Sequence, residues 1–252
     1  MQSKPTDLAA VDVRLLELQN EVRAHFDWGL TEDVESAHAL LSEVESCDVE
    51  SWARARRVQT VASLHRRLVL RETDVAILGA AITIEEVEEV LAGNTLLIAA
   101  DGSCGVLDTL PDSVADRAWS RLACVVSDAD GGEGTVAAVK RGIPIILHAH
   151  GDNTAEWFEL LTFSSARRTP PPIVLTHQTP DPIEGMHNPG GFTDGDRAVC
   201  FARALGVSRE RIKLLGTRTD LVGAWSGATD PERKLVKLQW MAKVLQHLGF
   251  LV

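Results

Sequence analysis

Three clusters of ionisable residues in this sequence each follow an apolar run or open a helix. The first is Ser127-Asp128-Ala129-Asp130-Gly131-Gly132. If the preceding strand continues, Asp128 and Asp130 point the same way and both carboxylates can meet one cation. Mg2+ takes carboxylate oxygens together with substrate phosphates, and the paired glycines allow close backbone approach to a ligand. The second is His148-Ala149-His150-Gly151-Asp152-Asn153. HxH beside an acid is a metal-ligand pattern, although hydrogen-bonded structural histidines are commoner. The third, Gly190-Gly191-Phe192-Thr193-Asp194-Gly195-Asp196-Arg197-Ala198, opens a helix. Thr193 or Asp194 would cap it, leaving free N–H groups for a phosphate, and Arg197 can grip a phosphate through paired donors. Asp101-Gly102 and Gly216-Thr217-Arg218-Thr219-Asp220 are weaker candidates whose interest is positional. The ordinary alternatives are an acidic turn, satisfied histidines, and a capping loop with a surface Asp–Arg pair.

Other chemistries lack their signatures. The sequence has no GxSxG elbow, no GxxxxGK[ST] loop and no protein-kinase set. Phosphate binding would therefore rest on a carboxylate-held metal.

The surrounding periodicity indicates the elements that must position these clusters. Short apolar runs at Val75–Ile82, Leu96–Ala100, Ala123–Val126, Ile143–Leu147, Ile173–Leu175 and Arg211–Leu215 read as strands. Helical stretches lie between or after them at Ile84–Ala92, Thr135–Arg141, Ala155–Phe163, Asp196–Leu205 and from Asp230-Pro231 towards Leu248. Thr83 and Glu86 form a capping-box pattern, with Gly93 placed as a C′ residue. Apolar strands alternating with helices predict an α/β fold with a mostly parallel sheet and flanking helices. In such sheets ligands bind beyond the carboxyl ends of the strands, where most of these polar clusters fall. Residues 1–72 read as a small all-helical N-terminal region, with Val11, Leu15, Leu18 and Val22 at helical spacing and further helices over Asp33–Val44 and Val49–Leu70. Residues 73–252 read as the α/β catalytic domain. The basic face of Arg54–Arg71 reads as solvated, and the Pro/Gly-rich stretch Thr179–Gly191 as a lid or binding loop.

The bulk composition narrows the classes. The chain has 252 residues, 45% of them hydrophobic, and a formal net charge of −11. An acidic balance disfavours nucleic-acid binding, while a metal can still reverse the local sign for a polyanionic substrate. No apolar run is long enough to span a bilayer and Met1–Asp12 lacks a signal-peptide pattern, so a cytoplasmic protein without a membrane partner is expected. Cys47, Cys104, Cys124 and Cys200 form no CxxC pair, and Cys124 and Cys200 read as core. An exposed apolar stripe on the leading helices would support a homodimer.

The ordered set ADG…SDADGG…HAHGDN…GGFTDGDRAV…KLVKLQWMAKVLQHLG, from about Leu97 to Leu248, resembles an archaeal family of 6-hydroxymethyl-7,8-dihydropterin pyrophosphokinases, itself similar to thiamin pyrophosphokinase. His25-Phe26-Asp27-Trp28-Gly29-Leu30 with Asp33 resembles that family's helical leader. The resemblance implies Mg2+-dependent transfer of diphosphate from ATP to a pterin hydroxymethyl group, releasing AMP, in tetrahydromethanopterin or folate-type cofactor synthesis. It implies that Asp128 and Asp130 hold Mg2+ with Asp194 or Asp196, and that Asp101 lies close by. His148 or His150 would take the proton or bind an outer oxygen, and Arg197 would stabilise phosphate charge. Gly102, Gly191, Thr193 and Gly195 are expected to line the nucleotide. Asp152 and Asn153 would read the pterin edge, and Phe192, Trp157 or Trp225 would stack on the ring. The sequence departs from the family at Gly216-Thr217-Arg218-Thr219-Asp220-Leu221, which bears on Asp220. Two other readings remain open: a metal-dependent hydrolase built on His148, His150 and Asp152, and a nucleotide-binding regulatory module.

Overall fold

The computed structural model describes residues 8–227 and 229–251, so the reading of the extreme N-terminus lies partly outside the described residues. Three helices come first: α1 (Arg14–Phe26), α2 (Leu30–Ser46) and α3 (Arg54–Leu68). There follow β1 (Val75–Leu78), α4 (Ile84–Leu91), β2 (Leu96–Ala100), a 3-10 segment (Asp101–Thr109), α5 (Asp112–Arg121) and β3 (Leu122–Ser127). The chain continues through α6 (Gly132–Lys140), β4 (Ile145–Ala149), α7 (Thr154–Ser165), β5 (Ile173–His177), α8 (Asp194–Leu205), β6 (Ile212–Leu215) and α9 (Pro231–His247).

Among the described residues the strands form one six-stranded parallel sheet in the order β5-β4-β3-β2-β1-β6. Strands β1 to β5 are buried at every position, as a sheet covered on both faces requires. Alternation along each strand divides the core. Ala76, Leu78, Leu97, Ala99, Val125 and Leu147 pack with α2, α4, α5, α6 and α7. Ile77, Ile98, Cys124, Val126, Ile146 and Val174 pack with α3, α8 and α9. The leading helices form no separate core. Ala37, Leu40 and Val44 of α2 belong to the first layer, Val61, Leu64 and Leu68 of α3 to the second, and Leu15, Leu18 and Val22 of α1 pack on Phe192, Cys200, Trp240 and Val244.

Several local expectations hold at the level of single atoms. Thr83 Oγ1 accepts from the Glu86 amide and Glu86 returns a bond to the Thr83 amide, completing the capping box. Asp230 caps α9 with Pro231 at its first turn. Others are corrected. β1 stops at Leu78: the Gly79 amide still donates to the Leu215 carbonyl of β6, and the chain then turns over Gly79–Ile82, the Ile82 amide donating to the Gly79 carbonyl. Val11 precedes α1 and is exposed. The basic face of α3 is not all solvated: Arg57 is buried, donating to the Trp52 carbonyl and to Glu45. The loop after β5 is tied down by mutual backbone bonds of His187 with Leu175 and His177, and Ile183 and Met186 enter the core. β4 runs two residues beyond the expected end, to Ala149, which places His148 inside the sheet.

Candidate active site

The carboxyl ends of β1, β2, β3, β4, β5 and β6 border a cleft enclosing about 1070 Å3, partly open to solvent. Its floor is acidic. Asp101 leaves β2 with φ 50°, and Ala129 between Asp128 and Asp130 has φ 82°. Both are left-handed conformations that side-chain-bearing residues rarely adopt, and such strain concentrates at functional sites. β3 has already ended at Ser127, so a left-handed turn, with the Ala129 amide donating to Ser127 Oγ, brings the two acids together in place of strand alternation. One oxygen from each of Asp101, Asp128 and Asp130 lies within 4.8 Å of the others, a spacing compatible with one cation.

Glycines permit this arrangement by chain-to-chain contact. A Cβ on Gly131 would stand 2.4 Å from the Gly102 nitrogen and 2.5 Å from the Asp101 carboxyl carbon. The close approach expected of this glycine is thus to the turn carrying Asp101, and Gly102 is buried in that contact, outside the cleft lining.

The charges at the floor oppose one another. Burial and then the charges of Asp194, Asp128 and Asp130 push the Asp101 carboxyl well above the usual carboxylate range. Burial and Asp128 raise Asp130. The same two causes push Asp194 up to about 7, against the pull of Arg197. At Asp128 burial also acts upward, but His150 and Arg197 outweigh it and hold the carboxyl below its ordinary value. Asp128 Oδ1 is buried and finds no hydrogen-bond partner among the described residues. An orphaned oxygen amid crowded carboxylates fits a divalent cation, whose binding would relieve both.

Cations share the cleft with these acids. Arg197 is 5% exposed. Its guanidinium reaches Asp128 (3.4 Å), Asp194 (3.3 Å) and the side-chain oxygen of Gln178 (3.2 Å). Lys234 and Lys237, spaced i,i+3 on α9, also line the cleft, and burial followed by Lys234 lowers the Lys237 pKa. Thr193, Asp194 and Gly195 line the cleft at the start of α8. Asp196 takes a different position from the one expected of a metal ligand. It is fully buried, and its oxygens accept from the Phe192 and Thr193 amides and the Thr193 hydroxyl. Gly191 packs at φ 91° against the Arg197 backbone, outside the lining.

The histidine cluster divides in two. His150 lines the cleft, with Nε2 3.3 Å from Asp128 and Nδ1 2.7 Å from Asp152. Burial acts downward on His150, but these two bonds raise it to about 9, so it is a cation at neutral pH. The same contact holds Asp152, largely exposed, at about 2. His148 is buried off the cleft between Thr176 and Gln178, and burial followed by Arg197 holds it neutral. Asn153 does not face the cleft. It accepts from the His150 amide and donates to the Asp128 and His148 carbonyls, clamping two strand ends. The nitrogens of both imidazoles are thus engaged within the protein, which leaves a His148–His150 metal centre without free donors.

Aromatic groups also border the cleft. Phe192 and Trp225 line the cleft, whereas Trp157 is core, 2% exposed, and bonded to Ser36. Trp28, between α1 and α2, lines the cleft stacked on Phe26 (4.6 Å) and near Phe192 (6.1 Å). Asp220 faces solvent in an ion pair with Arg218, outside the lining. Sequence reasoning missed Trp28, Gln178, Lys234 and Lys237 as site residues. The i,i+3 lysines after Asp230-Pro231 were the available sign, since that spacing puts both on one helix face.

No family model matches the chain. It is 34% identical over 166 residues to the 6-hydroxymethyl-7,8-dihydropterin pyrophosphokinase of Methanothermobacter thermautotrophicus, covering 60% of this chain and 62% of that protein. It is 32% identical over 131 residues to the protein of the same name from Pyrococcus furiosus, covering 49% of this chain and 52% of that one. The chain therefore spans less than two thirds of either relative, and within that span it is similar to 6-hydroxymethyl-7,8-dihydropterin pyrophosphokinases.

Proposed function

We propose that this protein is a Mg2+-dependent diphosphotransferase that moves the diphosphate of ATP to the hydroxymethyl group of 6-hydroxymethyl-7,8-dihydropterin and releases AMP. The observation that carries the reading is the apposition, in one cleft, of the Asp101–Asp128–Asp130 oxygens and the cations Arg197, Lys234 and Lys237. The two relatives' name points to the same chemistry. The product would serve tetrahydromethanopterin or folate-type cofactor synthesis in the cytoplasm.

Asp101, Asp128 and Asp130 would hold Mg2+, which would supply charge neutralisation for the phosphates. The alcohol oxygen attacks the β-phosphorus, and the bond from that phosphorus to the oxygen bridging the α-phosphorus breaks. AMP leaves with the bridging oxygen, and the hydroxyl proton departs. Arg197, Lys234 and Lys237 bear on the charge of the transferring group, so catalysis is mainly positioning and electrostatics. His150, whose two nitrogens are held by Asp128 and Asp152, bears on the phosphates through its charge and not as the base. Asp194, in the cleft at the start of α8 beside Arg197, is the carboxylate placed to receive the proton. Trp28, Phe192 and Trp225 give the cleft an aromatic wall against which a planar ring would lie.

The test incubates metal-stripped protein with ATP and the pterin, with and without Mg2+, and resolves the nucleotides. AMP that requires both Mg2+ and the pterin is expected. Its absence, with a transition metal retained by the untreated protein, would sink the reading.

A further inference from the structure

We infer that the leading helices are part of the catalytic apparatus: Asp33 of α2, paired with Arg23 of α1, is a positioning residue that sets Arg197 through Gln178. The inference rests on the diphosphotransferase reading and adds to it a route by which the N-terminal helices act on the reacting groups.

The Arg23–Asp33 pair is 3.0 Å long with both side chains below one tenth exposed. A buried ion pair is weak evidence for stability, since desolvation offsets the attraction, and apolar residues of similar size often serve as well. What this pair offers is direction. Asp33 Oδ1 accepts from the Gly151 amide (2.9 Å) and from Gln178 Nε2 (3.0 Å), and Oδ2 accepts from Gln178 Nε2 (2.9 Å) and Arg23 (3.0 Å). Arg23 also donates to the Gln178 backbone carbonyl (3.0 Å).

A glutamine amide presents donors on one side and an acceptor on the other. The Asp33 carboxylate, an acceptor only, dictates that the Gln178 NH2 faces it. The Gln178 side-chain oxygen Oε1 must then face the opposite way, where it accepts from Arg197 Nη2 (3.2 Å) and lies 3.4 Å from His148 Nε2. The Asp33 bond to the Gly151 amide fixes the turn that carries His150. One carboxylate from the leading helices therefore orients two of the charged groups that bear on the phosphates.

Asp33→Asn tests this with little change of shape. An asparagine can present its own NH2 to Gln178, which lets the Gln178 amide turn over and aim donors at Arg197. We expect kcat to fall roughly 10- to 100-fold, because small misplacements of positioning groups cost that much, with KM for ATP changed less than about 3-fold, the pattern of an interaction realised in the transition state. The Nη–H resonances of Arg197, assigned by their loss in Arg197→Lys, should be resolved in the wild-type protein and averaged in Asp33→Asn. Gln178→Leu, which leaves the Arg23–Asp33 pair intact, should reproduce both effects and keeps the test decisive if Asp33→Asn does not fold. Wild-type kcat in a folded variant, or a rise in KM alone, overturns the inference. If the wild-type protein forms no AMP with the pterin, the functional reading fails separately, and the Arg197 resonances still decide the positioning role.

Discussion

The turns after β3 and β4 lie on adjacent strands, carry comparable densities of ionisable residues, and reach different ends. After β3, Asp128 keeps a buried oxygen without a partner, and Asp130 adds a second carboxylate that crowding raises. After β4, nearly every polar atom is consumed: His148 by Thr176 and Gln178, Asn153 by three backbone groups, and His150 by Asp128 and Asp152. Residue type and strand-end placement are similar in the two turns. Residual bonding capacity differs, and it decides which turn can bind something new.

The largest expected effect separates the two turns directly. Asp128→Asn removes a charged ligand from the cation cluster, and turnover should fall by roughly 10³-fold, the scale of losing a principal electrostatic group. Calorimetric titration should show Mg2+ binding lost with it, and circular dichroism should show the fold retained. His148→Gln, which keeps a polar group between Thr176 and Gln178, should leave Mg2+ binding unchanged and lower turnover about 10-fold or less. Equal losses of metal binding in both variants would erase the distinction between the turns.

That distinction also marks what the sequence could disclose. The alternating texture from Val75 onward disclosed the parallel sheet, because fully buried strands need apolar residues on both faces, and the order of motifs placed Asp128, His150, Asp194 and Arg197 at one edge. Other assignments depended on contacts distant in the chain. Asp196 looks like a metal ligand beside Asp194, and only the geometry of the α8 cap shows both its oxygens taken by Phe192 and Thr193. The 3-10 segment and α5, between Asp101 and Arg121, gave no periodic signal of their own, and they are among the elements that pack on β2 and β3. Trp28 lies in the leader segment that carries the resemblance, but its residue type and spacing assign it no role in a site. It reaches the cleft because α1 packs on α8 and α9.

A third strand end extends the comparison to stability. His177 closes β5 at 2% exposure, its Nδ1 accepting from the Thr179 amide, and burial, followed by the neighbouring His187 and His38, pushes its pKa down to about 4. The unfolded chain binds a proton near 6.5, so between those values it holds more protons than the folded one. The stability contributed by neutral His177 is therefore full above pH 6.5 and is lost as pH falls through about 4. It amounts to roughly 3 kcal/mol at most. Urea unfolding at a series of pH values should show this slope, and His177→Asn, which keeps an acceptor but does not titrate, should flatten it. An unchanged slope would assign the acid sensitivity to other groups, His148 first.

Asn153→Ala asks whether the β4 turn is structural in the way its bonds indicate. The amide nitrogen spans the Asp128 and His148 carbonyls at 2.8 and 2.7 Å, and its removal leaves buried acceptors without partners. A loss of about 1–3 kcal/mol in unfolding free energy is expected. Turnover should fall as well, since the Asp128 backbone is released, while KM for the pterin should hold. A selective rise in that KM would return Asn153 to substrate recognition.

The smallest effect is expected at Asp220, the residue that sequence reasoning brought to the substrate and the structure turns to solvent. Its carboxylate pairs with Arg218 on an exposed loop, and Arg218, which lines the cleft, keeps its charge when that partner is removed. Exposed pairs of this kind contribute little to stability. Asp220→Ala should therefore leave kcat and KM for both substrates within about 2-fold of wild type. A larger change confined to KM for the pterin would mean that the β6 loop closes over the ring with Asp220 turned inward. The contrast between a bonded and an available carboxylate would then extend to a second edge of the same cleft.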